Sequence, residues 1–216
     1  MLFEQIELGP MANYVYLIGD EQSRECAVVD PGWEAGAILH ALRERGLKLA
    51  SILVTHNHFD HVGAVGDLLN EADVPVYAHK SDASALVRIA GDNLRPISGG
   101  DKAAVGKIEV AFLHTPGHTA GSQCLSVAGR LLTGDTLFID GCGRVDLPTS
   151  DPEEMAKSLK RISELAPDTV VWPGHHYSPA SSDTVGRQLR SNAYLAAARK
   201  NLADFMRLAA PNFQSP

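Results

Sequence analysis

Three histidines and one aspartate lie within a single run of seven residues, 55–61 (THNHFDH). The apolar residues 52–54 directly before this run predict a buried strand, and apolar residues recur at helical spacing over 62–69. The run is therefore expected on a strand-to-helix turn, where a rigid scaffold presents side chains to a ligand. Imidazole nitrogens and a carboxylate at one turn suit a transition metal such as zinc or iron. The run predicts a metal site.

The length, charge and cysteine usage of the chain exclude several classes of protein. Its 216 residues, 44% of them hydrophobic, are enough for one large domain with a substantial core. A net charge of -7 argues against nonspecific nucleic-acid binding, which needs a basic face. No apolar stretch approaches the ~18 residues of a membrane helix. Residues 1–8 lack the basic segment of a signal peptide, and the three widely spaced cysteines predict a cytoplasmic protein without a disulfide framework.

Strand and helix signals are intermixed along the chain, which predicts one mixed α/β domain over residues 1–216. Apolar runs and alternation predict strands at residues 2–8, 14–18, 26–29, 52–54, 74–78, 108–112, 124–127, 131–133 and 169–172. Helical spacing and caps predict helices near residues 38–42, 62–69 and 81–90, from residue 152 onward, and in a short tail at about residues 182–210. The polar, glycine-rich residues 91–106 are expected to form a loop. A mixed sheet or a pair of sheets with helices outside is the natural arrangement for such a mixture.

A histidine or aspartate follows a predicted strand at three later places as well. His118 and His175 stand in Pro-Gly-His segments and Asp135 in a Gly-Asp segment, where glycine lets the backbone approach closely. With the first run they complete a set of seven candidate metal ligands: His56, His58, Asp60, His61, His118, Asp135 and His175. Asp30, in a turn after a strand, either orients a ligand imidazole or serves the turn alone.

The motifs THNHFDH, PGHT, GDTLF and PGH, in this order over residues 14–175, resemble the metallo-β-lactamase superfamily. The resemblance implies an αββα sandwich, in which two mixed sheets are flanked by helices and the metal site lies at the edge of the sheets. It also implies the roles of the ligands. One metal would be held by His56, His58 and His118, a second by Asp60, His61 and His175, and the two would be bridged by Asp135.

The implied cofactors are two divalent metal ions, with zinc as the first expectation and iron or manganese as alternatives, because ligand residues alone do not select the metal. Two such ions about 3.5–4 Å apart share a bridging water and lower its pKa toward neutrality. The resulting hydroxide is a nucleophile at neutral pH, so no serine or cysteine nucleophile is needed.

The segment GDTLFIDGCGR, residues 134–144, is similar to glyoxalase II, the hydroxyacylglutathione hydrolases, in their short single-domain form. The resemblance implies hydrolysis of S-(2-hydroxyacyl)glutathione or a related thioester, with Asp60 and Asp135 in catalytic roles. Arg144 and Tyr177 would bind the thiol carrier; alternatively, Arg144 only forms an ion pair with Asp146. The chain departs from the long glyoxalase II pattern at His176, which replaces an acidic residue, and in lacking the larger C-terminal helical domain.

A second branch of the superfamily, the persulfide dioxygenases, shares this fold and the GCGR segment. By resemblance these enzymes convert glutathione persulfide to sulfite with a single Fe(II) held by His56, His118 and Asp135, a ligand set typical of oxygen-activating iron. The TLF of GDTLF and the complete second ligand set favour the hydrolase. A non-enzymatic protein on this scaffold would be expected to have lost ligands, whereas this sequence keeps all seven, which argues against that class.

The expected partner in either branch is a small-molecule thiol conjugate, with no nucleic acid and no membrane. The apolar residues Leu202, Phe205 and Met206 of the tail would pack on their own domain or support a homo-oligomer.

Overall fold

The computed structural model describes residues 1–209, and its strands form two six-stranded sheets and a small ribbon. The first sheet contains six strands that lie side by side in chain order: β1 (Leu2–Leu8), β2 (Asn13–Gly19), β3 (Glu25–Val29), β4 (Lys48–Leu53), β5 (Val76–His79) and β6 (Leu94–Ile97). The first three strands pair antiparallel, whereas β3 to β6 pair in parallel. This sheet is therefore mixed, as predicted.

The second sheet has the spatial order β14-β13-β10-β9-β8-β7. Its strands are β7 (Lys102–Val105), β8 (Ile108–His114), β9 (Gln123–Val127), β10 (Arg130–Gly134), β13 (Val170–Pro173) and β14 (Asp183–Thr184), and the ribbon pairs β11 (Leu137–Phe138) with β12 (Gly141–Cys142). Strands β10 and β13 are parallel, and the other neighbours are antiparallel. The C-terminal ends of β10 and β13 therefore lie at the same edge of the sheet.

Eight α-helices lie around the two sheets within the described residues. They are α1 (Ala35–Glu44), α2 (Phe59–Val62), α3 (Val65–Glu71), α4 (Ala83–Ala90), α5 (Pro152–Ser163), α6 (Val185–Ser191), α7 (Ala193–Lys200) and α8 (Leu202–Ala209). Across residues 1–209, none of these helices combines the length and apolarity that a membrane span requires.

Three apolar cores join the layers. One lies between the sheets and contains Leu53, Phe112 and Leu132; a second lies beneath α1, α3 and α4; and a third lies beneath α5 to α8. Full burial of such a side chain contributes about 1.5–3 kcal/mol, so the cores hold the layers together. The order helix, sheet, sheet, helix confirms the predicted αββα sandwich.

The start of α5 confirms the cap that the sequence predicts. The side chain of Asp151 accepts hydrogen bonds from the amides of Glu153 and Glu154 at 2.9 and 3.0 Å, and Pro152 occupies the first helical position. These contacts satisfy two backbone donors that the first turn leaves without partners.

The predicted loop over residues 91–106 is wrong in part, because it contains the edge strands β6 and β7. Pro96 lies in β6 and argues against a strand, but an edge strand tolerates proline since one side of its backbone needs no partner. In β7, Ala103 and Val105 are buried while Lys102 and Ala104 are exposed. This alternation is real but short, and alanine is a weak strand former.

The predicted tail over residues 182–210 differs from the structure in its internal division. It begins with β14, and its helical part is divided by Asn192 and Asn201 into α6, α7 and α8. The break leaves Leu202 41% exposed, while Phe205 is buried in the core beneath α5 to α8. The last residue of the predicted tail lies outside the described part of the chain. The assignment of the whole chain to one domain stays a prediction.

Candidate metal centre

All seven candidate ligands gather at one edge of the sandwich, because each follows a strand that ends there. Residues 55–61 follow β4 of the first sheet, and His118 lies in the connection between β8 and β9. Asp135 follows β10 and His175 follows β13, and these two parallel strands are neighbours. The amide of Gln123 donates to the carbonyl of Thr55 at 2.9 Å, which ties the two sheets together beside the site.

The first three histidines of the predicted set form one cluster. The candidate ligand atoms of His56, His58 and His118 lie within 4.8 Å of one another. Nε2 of His118 is 2.9 Å from Nδ1 of His58, and Nε2 of His56 is buried without a hydrogen-bond partner in residues 1–209. Three ring nitrogens therefore converge on one point.

A second cluster consists of Asp60, His61 and His175, whose candidate ligand atoms also lie within 4.8 Å of one another. The two Nε2 atoms of His61 and His175 are 3.1 Å apart, and Oδ2 of Asp60 is 3.5 and 3.4 Å from them. Asn13 fixes the carboxylate of Asp60, because its Nδ2 donates to Oδ2 at 3.0 Å.

Asp135 lies between the two clusters. Its carboxylate oxygens are 3.5 Å from Nε2 of His118 on one side and 3.4 Å from Nε2 of both His61 and His175 on the other. The close approach depends on Gly174, because a Cβ atom there would collide with Oδ1 of Asp135. The buried Oδ1 has no hydrogen-bond partner in the described chain.

Hydrogen bonds behind the ligands hold three imidazoles with Nε2 toward the site. Nδ1 of His118 is 2.8 Å from the carbonyl of Arg144, and Nδ1 of His175 is 2.9 Å from the carbonyl of Met11. Nδ1 of His61 is 3.0 Å from Oδ2 of Asp30. A proton on Nδ1 leaves a lone pair on Nε2, which is the usual arrangement of metal-binding histidines.

Asp30 thus holds the imidazole of a candidate ligand, His61, which is one of the two roles that the sequence leaves open for it. Asp30, His56 and His61 also lie close enough together to suggest a third metal cluster. However, Oδ1 and Oδ2 of Asp30 already accept hydrogen bonds from the amide and the hydroxyl of Thr55 at 2.7 and 2.6 Å. We therefore regard Asp30 as a hydrogen-bond partner of His61 and not as a ligand.

The carboxylates and imidazoles of the site shift one another's pKa values. Burial and the neighbouring histidines lower the pKa of His56, and burial together with His118 lowers the pKa of His58 to about 4. Burial alone would raise the pKa of Asp135, but His61 and His175 outweigh it and lower that pKa. Burial acts to lower the pKa of His175, but hydrogen bonds to Asp135 and Asp60 raise it to about 10. Without a metal, the ionised carboxylates therefore keep a proton on His175 at neutral pH, and a bound cation would take the place of that proton.

The arrangement of the candidate ligand atoms fits divalent metal ions. Within residues 1–209, two acceptors, Nε2 of His56 and Oδ1 of Asp135, are buried without hydrogen-bond partners, which is costly unless another group pairs with them. The ring nitrogens of His118 and His58 lie 2.9 Å apart, and those of His61 and His175 lie 3.1 Å apart. Imidazole and carboxylate groups in this arrangement are the donor set of divalent transition metals.

A cavity of about 340 Å³ opens above the candidate ligands. Its walls are mainly apolar and come from Met11, Phe59, Phe138, Leu147 and Tyr177. The ring of Tyr177 stacks on the ring of His175, with centroids 4.6 Å apart and planes inclined by 11°. A cavity of about 470 Å³ beside His79 and His114 touches none of the seven ligands, and we do not consider it part of this site.

Arg144 lies at the rim of this cavity, but its side chain is engaged. Nε and Nη2 of Arg144 donate to the two carboxylate oxygens of Asp146 at 2.9 and 2.8 Å. The ion pair with Asp146, predicted as the alternative, is therefore formed. The roles of Arg144 and Tyr177 in substrate binding stay predictions.

Sequence reasoning missed Asp82, a buried carboxylate that connects the two histidine loops. It accepts hydrogen bonds from the amide of Asn57 at 3.0 Å and the hydroxyl of Thr119 at 2.7 Å, and both donors adjoin candidate ligands. It also accepts from the amide of Gly121 at 2.7 Å. Asp82 stands directly before α4, so its local sequence suggests only a helix cap, yet its side chain makes no capping bond.

Comparisons with known proteins agree with this geometry. The model of the metallo-beta-lactamase superfamily matches residues 8–175. A probable polyketide biosynthesis zinc-dependent hydrolase, PksB of Bacillus subtilis, is 34% identical over 87% of this chain and 84% of its own. A hydroxyacylglutathione hydrolase of Gloeobacter violaceus is 41% identical over 77% of this chain and 64% of its own, so over a third of that relative lies outside the match.

The crystal structure of ETHE1 from Myxococcus xanthus has a TM-score of 0.89 and 31% identity, and the match covers 100% of this chain and 92% of that chain. This likeness extends over all layers of the sandwich, and the histidine and aspartate clusters imply divalent metals. The family model spans most of the chain. The chain therefore belongs to the metallo-beta-lactamase superfamily.

Proposed function

We propose that the protein is a metal-dependent thioesterase of the glyoxalase II type, which hydrolyses S-(2-hydroxyacyl)glutathione or a related thioester. One observation carries the proposal: Asp135 lies between two complete ligand clusters, within 3.5 Å of His118 and 3.4 Å of His175. This placement suits a carboxylate shared by two metal ions. The 41% identity with a hydroxyacylglutathione hydrolase supports the thioester class.

One ion would be held by His56, His58 and His118 and the other by Asp60, His61 and His175, with Asp135 shared between them. A pair of divalent ions supplies Lewis-acid polarisation of a carbonyl oxygen and a water of lowered pKa, so that no side-chain nucleophile is required.

The chain's own residues would position the substrate and the attacking water. Asp60 is ionised because His175, His61 and Asn13 outweigh the effect of burial and lower its pKa. Its Oδ2 therefore accepts a hydrogen bond and can orient a water at the floor of the cavity. Phe59 and Tyr177 form apolar walls of the cavity above the candidate ligands. Arg144 and Tyr177 are proposed to contact the thiol carrier at the rim.

Hydrolysis of S-lactoylglutathione under anaerobic conditions tests the proposal. Purified protein is loaded with zinc in one sample and with Fe(II) in another, and the metal content of each is measured. Turnover without oxygen in either sample is the expected result. The absence of turnover in both samples, with metal bound, would refute a thioesterase acting on this substrate.

The likeness to ETHE1 over the full chain favours a second candidate, a persulfide dioxygenase. A persulfide dioxygenase would hold a single Fe(II) with His56, His118 and Asp135. The site residues Asp60, His61 and His175 would then not bind a metal. Oxygen uptake by the Fe(II)-loaded protein with glutathione persulfide, without anaerobic thioester hydrolysis, is the result expected for this candidate.

A further inference from the structure

Large apolar side chains are exposed around the mouth of the candidate metal centre. Phe59 is 66% exposed, Tyr177 58% and Met11 39%, and all three line the same cavity. They include both aromatic residues among the large hydrophobic side chains that are exposed within residues 1–209. Exposure of such rings is unfavourable in the free protein, and an apolar ligand that covers them removes the cost.

Phe59 is held in this exposed position by the ligand loop. It lies between the candidate ligands His58 and Asp60, so the backbone that aims these ligands also aims its ring. The ring meets the indole of Trp33 edge to face, with centroids 6.0 Å apart. Trp33 is fixed in turn, because its Nε1 donates to Oδ1 of Asn13 at 2.8 Å. Phe59 therefore forms a preorganised wall of the cavity.

Tyr177 forms another apolar wall of the same cavity. Its ring stacks on His175 and meets Phe138 edge to face, with the latter centroids 5.3 Å apart. The cavity of about 340 Å³ is within the range of about 300–1,000 Å³ that is typical of small-molecule sites. The acyl chain and the thiol arm of a thioester whose carbonyl reaches the candidate ligands would therefore contact these apolar surfaces.

The cavity offers little charge for an anionic substrate arm. Arg144 is the one lysine or arginine that lines it in the described chain, and two of its nitrogen atoms bind the carboxylate of Asp146. Glutathione carries two carboxylates, which would compete with Asp146 for this guanidinium. The lining therefore complements an uncharged arm better than a glutathione arm.

We infer that the site takes thioesters with an apolar acyl chain and an uncharged thiol arm, and that Phe59 selects the acyl chain. This inference rests on the proposed thioesterase function and, within that function, favours related thioesters over S-(2-hydroxyacyl)glutathione. The acyl chain covers the exposed ring of Phe59, while the thioester carbonyl lies at the candidate metal ligands.

The test compares kcat/KM for acetyl and hexanoyl thioesters of N-acetylcysteamine, an uncharged thiol, with S-hexanoylglutathione, using the full chain with its metal content measured. We expect hexanoyl to exceed acetyl by about tenfold or more, because the longer chain buries additional methylene groups. We also expect the uncharged hexanoyl thioester to match or exceed S-hexanoylglutathione.

Substitution of Phe59 tests its role in this preference. Phe59→Ala should reduce the ratio of hexanoyl to acetyl kcat/KM to within about threefold of unity, because the wall that covers the chain is removed. Phe59→Leu, which keeps an apolar side chain, should retain most of the preference. Leu202→Ala is the matched control, since Leu202 is an exposed apolar residue outside the cavity.

The outcomes separate the inference from the function on which it rests. A preference above about tenfold for S-hexanoylglutathione over its uncharged counterpart, or equal rates for acetyl and hexanoyl, would overturn the inference and leave the thioesterase intact. An unchanged ratio in Phe59→Ala would overturn the role of Phe59. Failure to hydrolyse any of these thioesters or S-lactoylglutathione, with metal bound, would overturn both proposals.

Discussion

Replacement of Asp30 by asparagine tests whether the hydrogen bond behind His61 prepares this residue as a metal ligand. Asp30 accepts hydrogen bonds from the amide of Thr55 at 2.7 Å and its hydroxyl at 2.6 Å, and it pairs with Nδ1 of His61 at 3.0 Å. In asparagine, the oxygen must face the amide of Thr55, because a backbone N–H cannot accept a hydrogen bond. The NH₂ group then faces the hydroxyl and the imidazole, both of which can reverse roles.

The reversal has a cost for the metal site. When the new NH₂ group donates to Nδ1, the ring proton of neutral His61 moves to Nε2, the atom that lies 3.1 Å from Nε2 of His175. A protonated Nε2 cannot bind a metal. Loss of such a supporting partner typically lowers metal affinity about 10–100-fold, which corresponds to about 1.4–2.8 kcal/mol. The metal-free fold should lose no more than about 1.5 kcal/mol, since the hydrogen bonds are exchanged and not stranded.

Competition with a chromophoric chelator measures this effect. Titration of wild-type protein should show two metal sites, and Asp30→Asn should weaken the site of Asp60, His61 and His175. Asp92→Asn is the matched control, because it makes the same chemical change at an exposed position. If Asp30→Asn binds two metals with wild-type affinities, the tautomer of His61 does not govern the site and the reasoning is wrong.

Four other perturbations have defined outcomes. Asp135→Ala should lower bound metal and thioesterase activity together, measured by elemental analysis and hydrolysis, and full activity would contradict a bridging role. Arg144→Ala should raise KM for S-lactoylglutathione severalfold at unchanged metal content; an unchanged KM would leave Arg144 only its ion pair with Asp146. Asp151→Ala should lower the free energy of unfolding in urea by about 1 kcal/mol through loss of the α5 cap, with activity retained. Chelation of the metal should lower Tm, because a ligand at 1,000 times its Kd stabilises the fold by about 4 kcal/mol, and an unchanged Tm would indicate that no metal binds at the clusters.

The candidate ligands were accessible to sequence reasoning because their signals are local. Each of them follows an apolar strand and stands beside glycine, proline or other ligands, as in the segments that contain His118 and His175. Strand ends at one edge of a sandwich bring such residues together whatever the details of the helices. The αββα arrangement followed from the family resemblance of these motifs, and the structure confirms it.

The failures concern signals that are short or ambiguous in the chain. Pro96 argues against a strand, yet β6 lies at a sheet edge, where a missing donor is tolerated. The tail reads as one helical stripe, yet Asn192 and Asn201 divide it. Whether a segment forms the strand or helix that its local sequence favours depends on the packing around it. The spacing of apolar residues does not reveal that packing.

The partners of polar side chains were decided by tertiary structure alone. Asp82 accepts hydrogen bonds from Asn57 and Thr119. These residues lie in loops of different sheets, which come together only when the two sheets pack. Asp30 could serve a turn or an imidazole, and only the position of His61 relative to β3 shows that its side chain contacts the imidazole. Residue types and local spacing determine which groups are able to bind a metal, because ligand chemistry belongs to the side chain. The packing of two sheets determines which nitrogen faces the site and which side chains wall the cavity, because these depend on contacts between residues far apart in the chain.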